Sequence, residues 1–222
     1  MAGLEDVQPH EITFKERLAD CEVSTIYQVE VRGQTCVMKV HHGRENCEDA
    51  DHRPDYHSLE AAAYRRLKER GVCDRGIVPQ FYGTMDNFDP KPCHPYLKRF
   101  KHDDNPPSAI FMEYIPNLEM LYLDNYTPQR LDGFVHGLRE IHKALVRHRD
   151  PKPRNMLISN KGDRLERLVW LDFDRADTYQ TITERERKQL DTEERRVVSF
   201  KTLLEEDIAN GGELSRAGIL YW

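Results

Sequence analysis

The sequence predicts an α+β protein whose first half is mainly strand and whose second half is mainly helix. Residues 26–40 hold two apolar runs rich in β-formers, separated by the hairpin signal Arg32-Gly33-Gln34. Residues 128–146 carry apolar side chains at helical spacing. A further helical segment begins near Thr183 and runs to about Asn210, where Gly211-Gly212 stops it.

Taken in chain order, the strand-like pattern extends from Phe14 to Val40. Ile26, Tyr27, Val29 and Val31 form one run, and Thr35 to Val40 the next. His41 to Tyr56 is polar and irregular. Ser58 to Arg70 reads as a helix with Leu59, Ala63, Tyr64 and Leu67 on one face and Gly71 as its stop. Ile77–Tyr82 and Ala109–Ile115 read as strands. The segment between them, with Pro90, Pro92, Pro95, Pro106, Pro107 and many charges, is expected at the surface. Pro116 marks a change of character. The helix from Pro128 to Val146 should bury Leu131, Phe134, Val135, Leu138, Ile141, His142 and Leu145. Short strands follow at Met156–Ile158 and Leu168–Leu171. The charged run from Glu184 to Arg196 is expected to be an exposed helix face.

Bulk composition narrows the classes. A chain of 222 residues with 38% hydrophobic and 32% charged residues has room for one domain of two small lobes. A formal charge of -6 disfavours nucleic acid and anionic membrane surfaces as partners. There is no run of the roughly 20 apolar residues that a membrane helix needs. The start, Met1-Ala2-Gly3-Leu4-Glu5-Asp6, is unlike a secretion signal. The five cysteines form no CxxC pair, so reduced thiols and a cytoplasmic location are expected.

The stretch most informative about chemistry is His148-Arg149-Asp150-Pro151-Lys152-Pro153-Arg154-Asn155-Met156-Leu157. It resembles the protein-kinase catalytic loop, H-R-D-x-K-P-x-N-x-L, at every defining position. Leu168-Val169-Trp170-Leu171-Asp172-Phe173-Asp174, at the end of an apolar run, is similar to the metal-binding motif of the same family. Cys36-Val37-Met38-Lys39-Val40 looks like its phosphate-positioning strand, and Glu60 in Leu59-Glu60-Ala61-Ala62-Ala63-Tyr64 like the helix partner of Lys39. A buried cation needs such a counter-charge. Ile110-Phe111-Met112-Glu113-Tyr114-Ile115 resembles the strand that leads into the inter-lobe hinge.

The resemblance implies a two-lobed protein-kinase-like fold. It would have a small antiparallel β-rich N-lobe with one helix (about 12–115), a hinge at about 113–117 and a reduced, mainly helical C-lobe (about 118–222). It further implies ATP and Mg²⁺ as cofactors. Asp150 would accept or orient the attacking hydroxyl and Lys152 would neutralise the transferred phosphoryl group. Asn155 and Asp172 would ligate the metal, and Lys39, oriented by Glu60, would hold the α- and β-phosphates. Met112 would guard the back of the nucleotide pocket, Glu113 to Ile115 would bond the adenine edge through backbone, and Leu157 would floor it. Taken singly, each of these apolar residues is plain core.

Three departures from the family pattern bear on function. Leu18-Ala19-Asp20-Cys21-Glu22-Val23-Ser24-Thr25-Ile26-Tyr27 has no glycine where G-x-G-x-x-G is expected, and Asp20 and Glu22 would repel phosphate. Asp174 replaces the glycine of D-F-G, where it would assist with metal. No A-P-E follows, and Glu193 to Leu204 looks like the central helix of the large lobe. The elements that dock a protein substrate would be reduced, leaving a small-molecule acceptor, a protein docked otherwise, or a protein partner that completes the C-lobe. The expected activity is ATP- and Mg²⁺-dependent phosphoryl transfer to a hydroxyl acceptor. The alternative is a pseudokinase serving as a nucleotide- or protein-binding scaffold, and nucleotidyl transfer is a further variant. His41, His42, Cys47, His52 and His57 crowd one polar segment, but their spacing matches no common zinc pattern. Trp170 is expected in the core, and the apolar tail Gly218 to Trp222 against the domain or another chain.

Overall fold

The computed structural model describes residues 3–43, 55–159, 166–213 and 217–220. The protein is α+β and divides into two compact units, Met1–Ala61 with Gln80–Tyr114, and Ala62–Pro79 with Ile115–Trp222. Residues 62–79, which the sequence reading placed in the N-lobe, group with the second unit. Among the described residues no helix is long and apolar enough to cross a membrane.

The first unit is built on five antiparallel strands. β1 (Ile12–Asp20), β2 (Ser24–Val31) and β3 (Gln34–His41) run consecutively, and β4 (Phe81–Met85) and β5 (Ser108–Glu113) complete the order β1-β2-β3-β5-β4. Between β2 and β3 the chain reverses in two residues, Arg32 at φ 51° and Gly33 at φ 77°. Such a turn needs two left-handed residues and matches the twist of the strands it joins. Alternation then sorts the side chains: Tyr27, Val29, Val31, Cys36, Met38, Val40, Ala109 and Phe111 share one buried cluster. The intervening residues of β3, among them Lys39 and His41, take the opposite face. Helix α1 (Tyr56–Glu69) follows β3.

Two expectations are corrected here. The strand expected at Ile77–Tyr82 begins four residues later, as β4. The proline-rich segment after β4 is not simply a surface loop: Phe88, Cys93, Leu97 and Phe100 are buried in the sheet's core cluster. Prolines break the strand period, yet apolar residues spaced between them close over the sheet. Tyr96 stacks on Phe14 at 4.5 Å and its carbonyl accepts the Tyr27 hydroxyl at 2.8 Å.

The second unit holds β6 (Leu118–Met120), α2 (Pro128–Lys143), β7 (Val146–Arg147), β8 (Met156–Ser159), β9 (Arg167–Trp170), β10 (Asp177–Thr178) and α3 (Glu184–Ala209). β6-β8-β9 form one small sheet, and β7 pairs with β10. Thr127 caps α2 by accepting the Arg130 amide, with Pro128 in the first turn where its missing N–H is not needed. The helix stops three residues short of the expected Val146, because Leu145 adopts φ 65° and Val146 pairs in β7. Of the expected stripe, Leu131, Phe134, Val135, Leu138 and Ile141 are buried, while His142 and Leu145 are half-buried.

Helix α3 begins at a capping box, in which Thr183 and Glu186 satisfy each other's exposed amides, and packs on α2. Leu190, Val197, Phe200 and Leu204 form its buried stripe. Glu193 and Asp207 occupy the same stripe and are buried too. The expectation of a wholly exposed charged face over 184–196 is therefore corrected at Glu193. Trp170 is core, 1% exposed, with its indole N–H donated to the Phe134 carbonyl at 3.0 Å. Of the C-terminal tail, residues 217–220 form one 3-10 turn, whose Ala217 amide is held by Asp207 at 2.8 Å. Trp222 lies outside the described residues.

Candidate functional site

The residues singled out by sequence fall into two clusters, one in each unit. In the first unit Lys39, on β3, is buried and its Nζ lies 2.7 Å from Glu60 Oε2 on α1. Period-two alternation turns Lys39 away from the Cys36–Met38–Val40 face, and the long aliphatic stem lets the ammonium reach the helix. Glu60 is 1% exposed, so the pair stands in a low-dielectric site where losing either member leaves an uncompensated charge. His41, two positions along the same strand, places Nε2 3.1 Å from the same Glu60 oxygen. Sequence reading missed this third member, although its offset from Lys39 was the available signal.

Met112 is buried on β5 in register with Val37. Glu113, at the strand's end, turns its carboxylate back to the Gln80 amide at 3.1 Å. The β1–β2 turn, residues 21–23, contains no glycine, and its flanking charges are more balanced than expected. Asp20 accepts from the Thr25 hydroxyl at 2.9 Å and is ion-paired with Arg99 and, at 3.5 Å, with Arg17. Glu22 is exposed.

In the second unit the turn after β7 carries the His148–Asn155 motif. Its anchor is Glu193, whose carboxylate accepts the amides of His148 at 3.1 Å and Arg149 at 2.7 Å and meets His142 Nε2 at 2.8 Å. Burial alone would raise the Glu193 pKa, but the His142 bond, the nearby imidazoles and the Arg149 amide outweigh it and hold the group below its ordinary value. Sequence reading missed Glu193. Its signal was a charge falling on the Leu190–Val197–Phe200–Leu204 stripe.

His148 is fully buried. Its Nε2 donates to the Leu171 carbonyl at 2.9 Å, and its ring packs on Phe173 at 4.6 Å and Trp170 at 5.2 Å. Asp150 and Asn155 are brought together: Asn155 Nδ2 donates to the Asp150 carbonyl at 2.8 Å and to its carboxylate at 3.1 Å. Arg154 Nη2 reaches that carboxylate at 2.6 Å, a partner not foreseen from the motif. Lys152 is half-buried, its amide bonded to the Asp150 carbonyl at 2.8 Å. The Leu171 amide donates to the Asn155 carbonyl at 3.0 Å, tying the approach to Asp172 to the same turn. Asp172 itself is half-buried, Phe173 is fully buried against Tyr64 at 5.3 Å, and Asp174 is buried with Arg175 4.0 Å away. Leu157, on β8, is half-buried, and Ile115 is buried.

Arg149 at φ 67° and Asp172 at φ 65° are left-handed without being glycine. Such residues cost of order 1–3 kcal/mol each and persist where surrounding structure over-determines them. Here Glu193 fixes the first and the His148–Leu171 bond the neighbourhood of the second.

Among the described residues no group of three His, Cys, Asp or Glu side chains could hold a metal by itself. The donor chemistry of Asn155 and Asp172 nevertheless suits Mg²⁺. The Asn155 amide nitrogen is committed to Asp150, which leaves its carbonyl oxygen as the accepting end. An amide oxygen and a carboxylate are the hard ligands that Mg²⁺ uses alongside waters and phosphates. The histidines weighed as zinc ligands have other partners: His41 with Glu60, His42 with Asp103 at 2.7 Å and His57 with Asp86 at 3.4 Å. Cys47 and His52 lie outside the described residues. No family model matches the chain, and no curated protein matches it.

Proposed function

We propose that the chain is an ATP- and Mg²⁺-dependent phosphotransferase of a two-lobed, kinase-like kind, acting on a hydroxyl of a small molecule or protein. The observation that carries this reading is the Asp150–Asn155 lock at 2.8 and 3.1 Å within a strained, Glu193-anchored turn. A base and an amide so fixed are costly to assemble and suit a reaction that depends on positioning and charge neutralisation.

In this reading Asp150 accepts the hydrogen bond of the attacking hydroxyl and orients its oxygen, while Arg154 and Asn155 keep the carboxylate from rotating. Lys152 neutralises charge developing on the transferred group. Lys39, steadied by Glu60, holds the phosphates of the nucleotide. Asn155 and Asp172 would hold Mg²⁺, which when bound screens the phosphate charges. Met112, Ile115 and Leu157 offer apolar contact to the base, and the backbone of Glu113–Ile115 its polar edge.

Melting the protein with and without MgATP tests binding. Nucleotide at a hundred times its dissociation constant should add about 2.7 kcal/mol, and no shift at millimolar MgATP removes the reading. Asp150→Asn should then lower ATP turnover by about 10²–10⁴ while leaving nucleotide binding intact.

A second reading, a pseudokinase acting as a nucleotide- or protein-binding scaffold, is favoured by the glycine-free turn at residues 21–23. It predicts a MgATP-dependent melting shift with equal, negligible turnover in wild type and Asp150→Asn.

A further inference from the structure

The Lys39–Glu60 pair does not stand alone. His41 Nε2 lies on the same Oε2 that Lys39 Nζ holds, at 3.1 Å against 2.7 Å, and both donors come from one strand. All three side chains are buried. Because Nε2 faces a carboxylate it must carry the proton, which fixes the neutral ring with Nδ1 bare. Among the described residues Nδ1 is buried and meets no donor or acceptor. The ring is flanked by His57 of α1 at 5.7 Å, edge to face, and His57 in turn reaches Asp86 after β4. Among the described residues the charged or titratable groups facing His41 are thus Lys39 on its own strand, Glu60 and His57 on α1, and Asp86 beyond His57.

We infer that His41 is a positioning residue for the Lys39–Glu60 pair, holding the Glu60 carboxylate in place when Lys39 turns toward a phosphate. Glu60 loses its ammonium contact whenever Lys39 moves, and a buried carboxylate that loses a counter-charge tends to relocate or take up a proton. A neutral imidazole on the same oxygen keeps it anchored and adds no competing charge. With no glycine in the β1–β2 turn, Lys39 carries more of the phosphate contact, so a fixed Glu60 counts for more. Burial first, then the nearby Lys39 and His57 charges, push the His41 pKa down, while Glu60 pulls it up. The neutral donor therefore persists below the usual titration range of histidine. Once His41 is protonated it becomes a second cation on Glu60, with a new N–H at Nδ1 lacking an acceptor, and it repels Lys39.

The inference uses the phosphotransferase reading for its consequence but not for its first test. In the ligand-free protein, ¹⁵N-imidazole NMR should show His41 as the Nε2-protonated tautomer, titrating below the ordinary value near 6.5. Glu60→Gln should lower that midpoint further and Lys39→Met should raise it. A His41 midpoint indifferent to both substitutions overturns the inference. Calorimetry with MgATP supplies the second test. Wild-type affinity should fall by up to about tenfold per pH unit below the His41 midpoint, the slope of one coupled proton. His41→Gln, which keeps a donor but no titratable ring, should retain neutral-pH affinity and lose that acid limb. His41→Leu should lose affinity at every pH, and far-UV circular dichroism shows whether it folds. An acid limb unchanged in His41→Gln overturns the inference. No MgATP binding by wild type at any pH instead overturns the phosphotransferase reading, and the NMR coupling alone then decides the role of His41.

Discussion

Two buried glutamates, Glu60 in the first unit and Glu193 in the second, solve the same problem in opposite ways. Glu60 is held by side chains, Lys39 and His41, whose positions depend on rotamers and protonation. Glu193 is held largely by the backbone amides of His148 and Arg149, with His142 and, at 3.8 Å, Arg147 as side-chain partners. Side-chain partners can leave, so the first arrangement suits a group that must respond to a ligand. Backbone donors cannot leave without undoing the turn, so the second suits a scaffold. A buried carboxylate is therefore not one kind of feature; its partners decide whether it works as a moving part or a fixed one.

The comparison is broken most forcefully at Glu193. Glu193→Ala strands the buried His148 amide, the part-buried Arg149 amide and His142, and should cost about 4 kcal/mol in urea unfolding, since each unmet buried group costs roughly 1–3. Glu193→Gln keeps one acceptor and should cost less than half of that. A mild effect of Glu193→Ala on both stability and turnover would show that the turn does not rest on it. Next comes Lys39→Met, which removes the ammonium from Glu60 and leaves the His41 bond in place. The expected loss is about 3 kcal/mol, the lower end for breaking a buried pair, because the His41 donor remains. If His41→Leu combined with Lys39→Met destabilises no further, the two donors do not share Glu60.

Stability against pH separates the two sites. His41 has a lowered pKa in the fold, so the unfolded chain takes up its proton first. Stability from this group is complete above about 6.5 and is lost as pH falls from there to the folded value. Glu193 also has a lowered pKa. As a carboxylate it contributes stability above its unfolded value near 4.3, lost as pH falls through the folded one. Urea midpoints should therefore decline in two acid steps, with His41→Gln removing the upper step and Glu193→Gln the lower. The smallest effect is local: Thr183→Ala removes the cap of α3 and should cost about 1 kcal/mol, read from the same urea curves.

Much of this was legible in the sequence where one local rule governed. The ends of α3 followed from Thr183 and from Asn210-Gly211-Gly212, and the β2–β3 hairpin from Arg32-Gly33. The Lys39–Glu60 pairing was legible because the order and spacing of the two residues resemble the strand-and-helix pair of the kinase pattern, and a buried cation needs a counter-charge. The motif also marked Asp150 and Asn155, which the fold brings together. What escaped notice were polar residues sitting on apolar stripes. Glu193 and Asp207 continue the spacing of Leu190, Val197, Phe200 and Leu204, yet read as solvent-facing because their neighbours in sequence are charged. His41 was grouped with His42 by adjacency, though alternation sends the two to different partners. The burial of Phe88, Leu97 and Phe100 was hidden by the prolines around them, since periodicity carries no information where the chain has no regular period. Arg154 on Asp150 could not be foreseen, because the motif leaves that position open.

The packing of Trp170 has an optical consequence. Its indole is shielded from water and lies 5.2 Å from the His148 imidazole, on the turn that carries Asp150. Indole emission responds to how well the ring is kept from water and to the groups packed on it. With Trp222→Phe leaving a single tryptophan, the emission of Trp170 becomes an intrinsic gauge of how tightly the turn that carries Asp150 is packed, read without any added label.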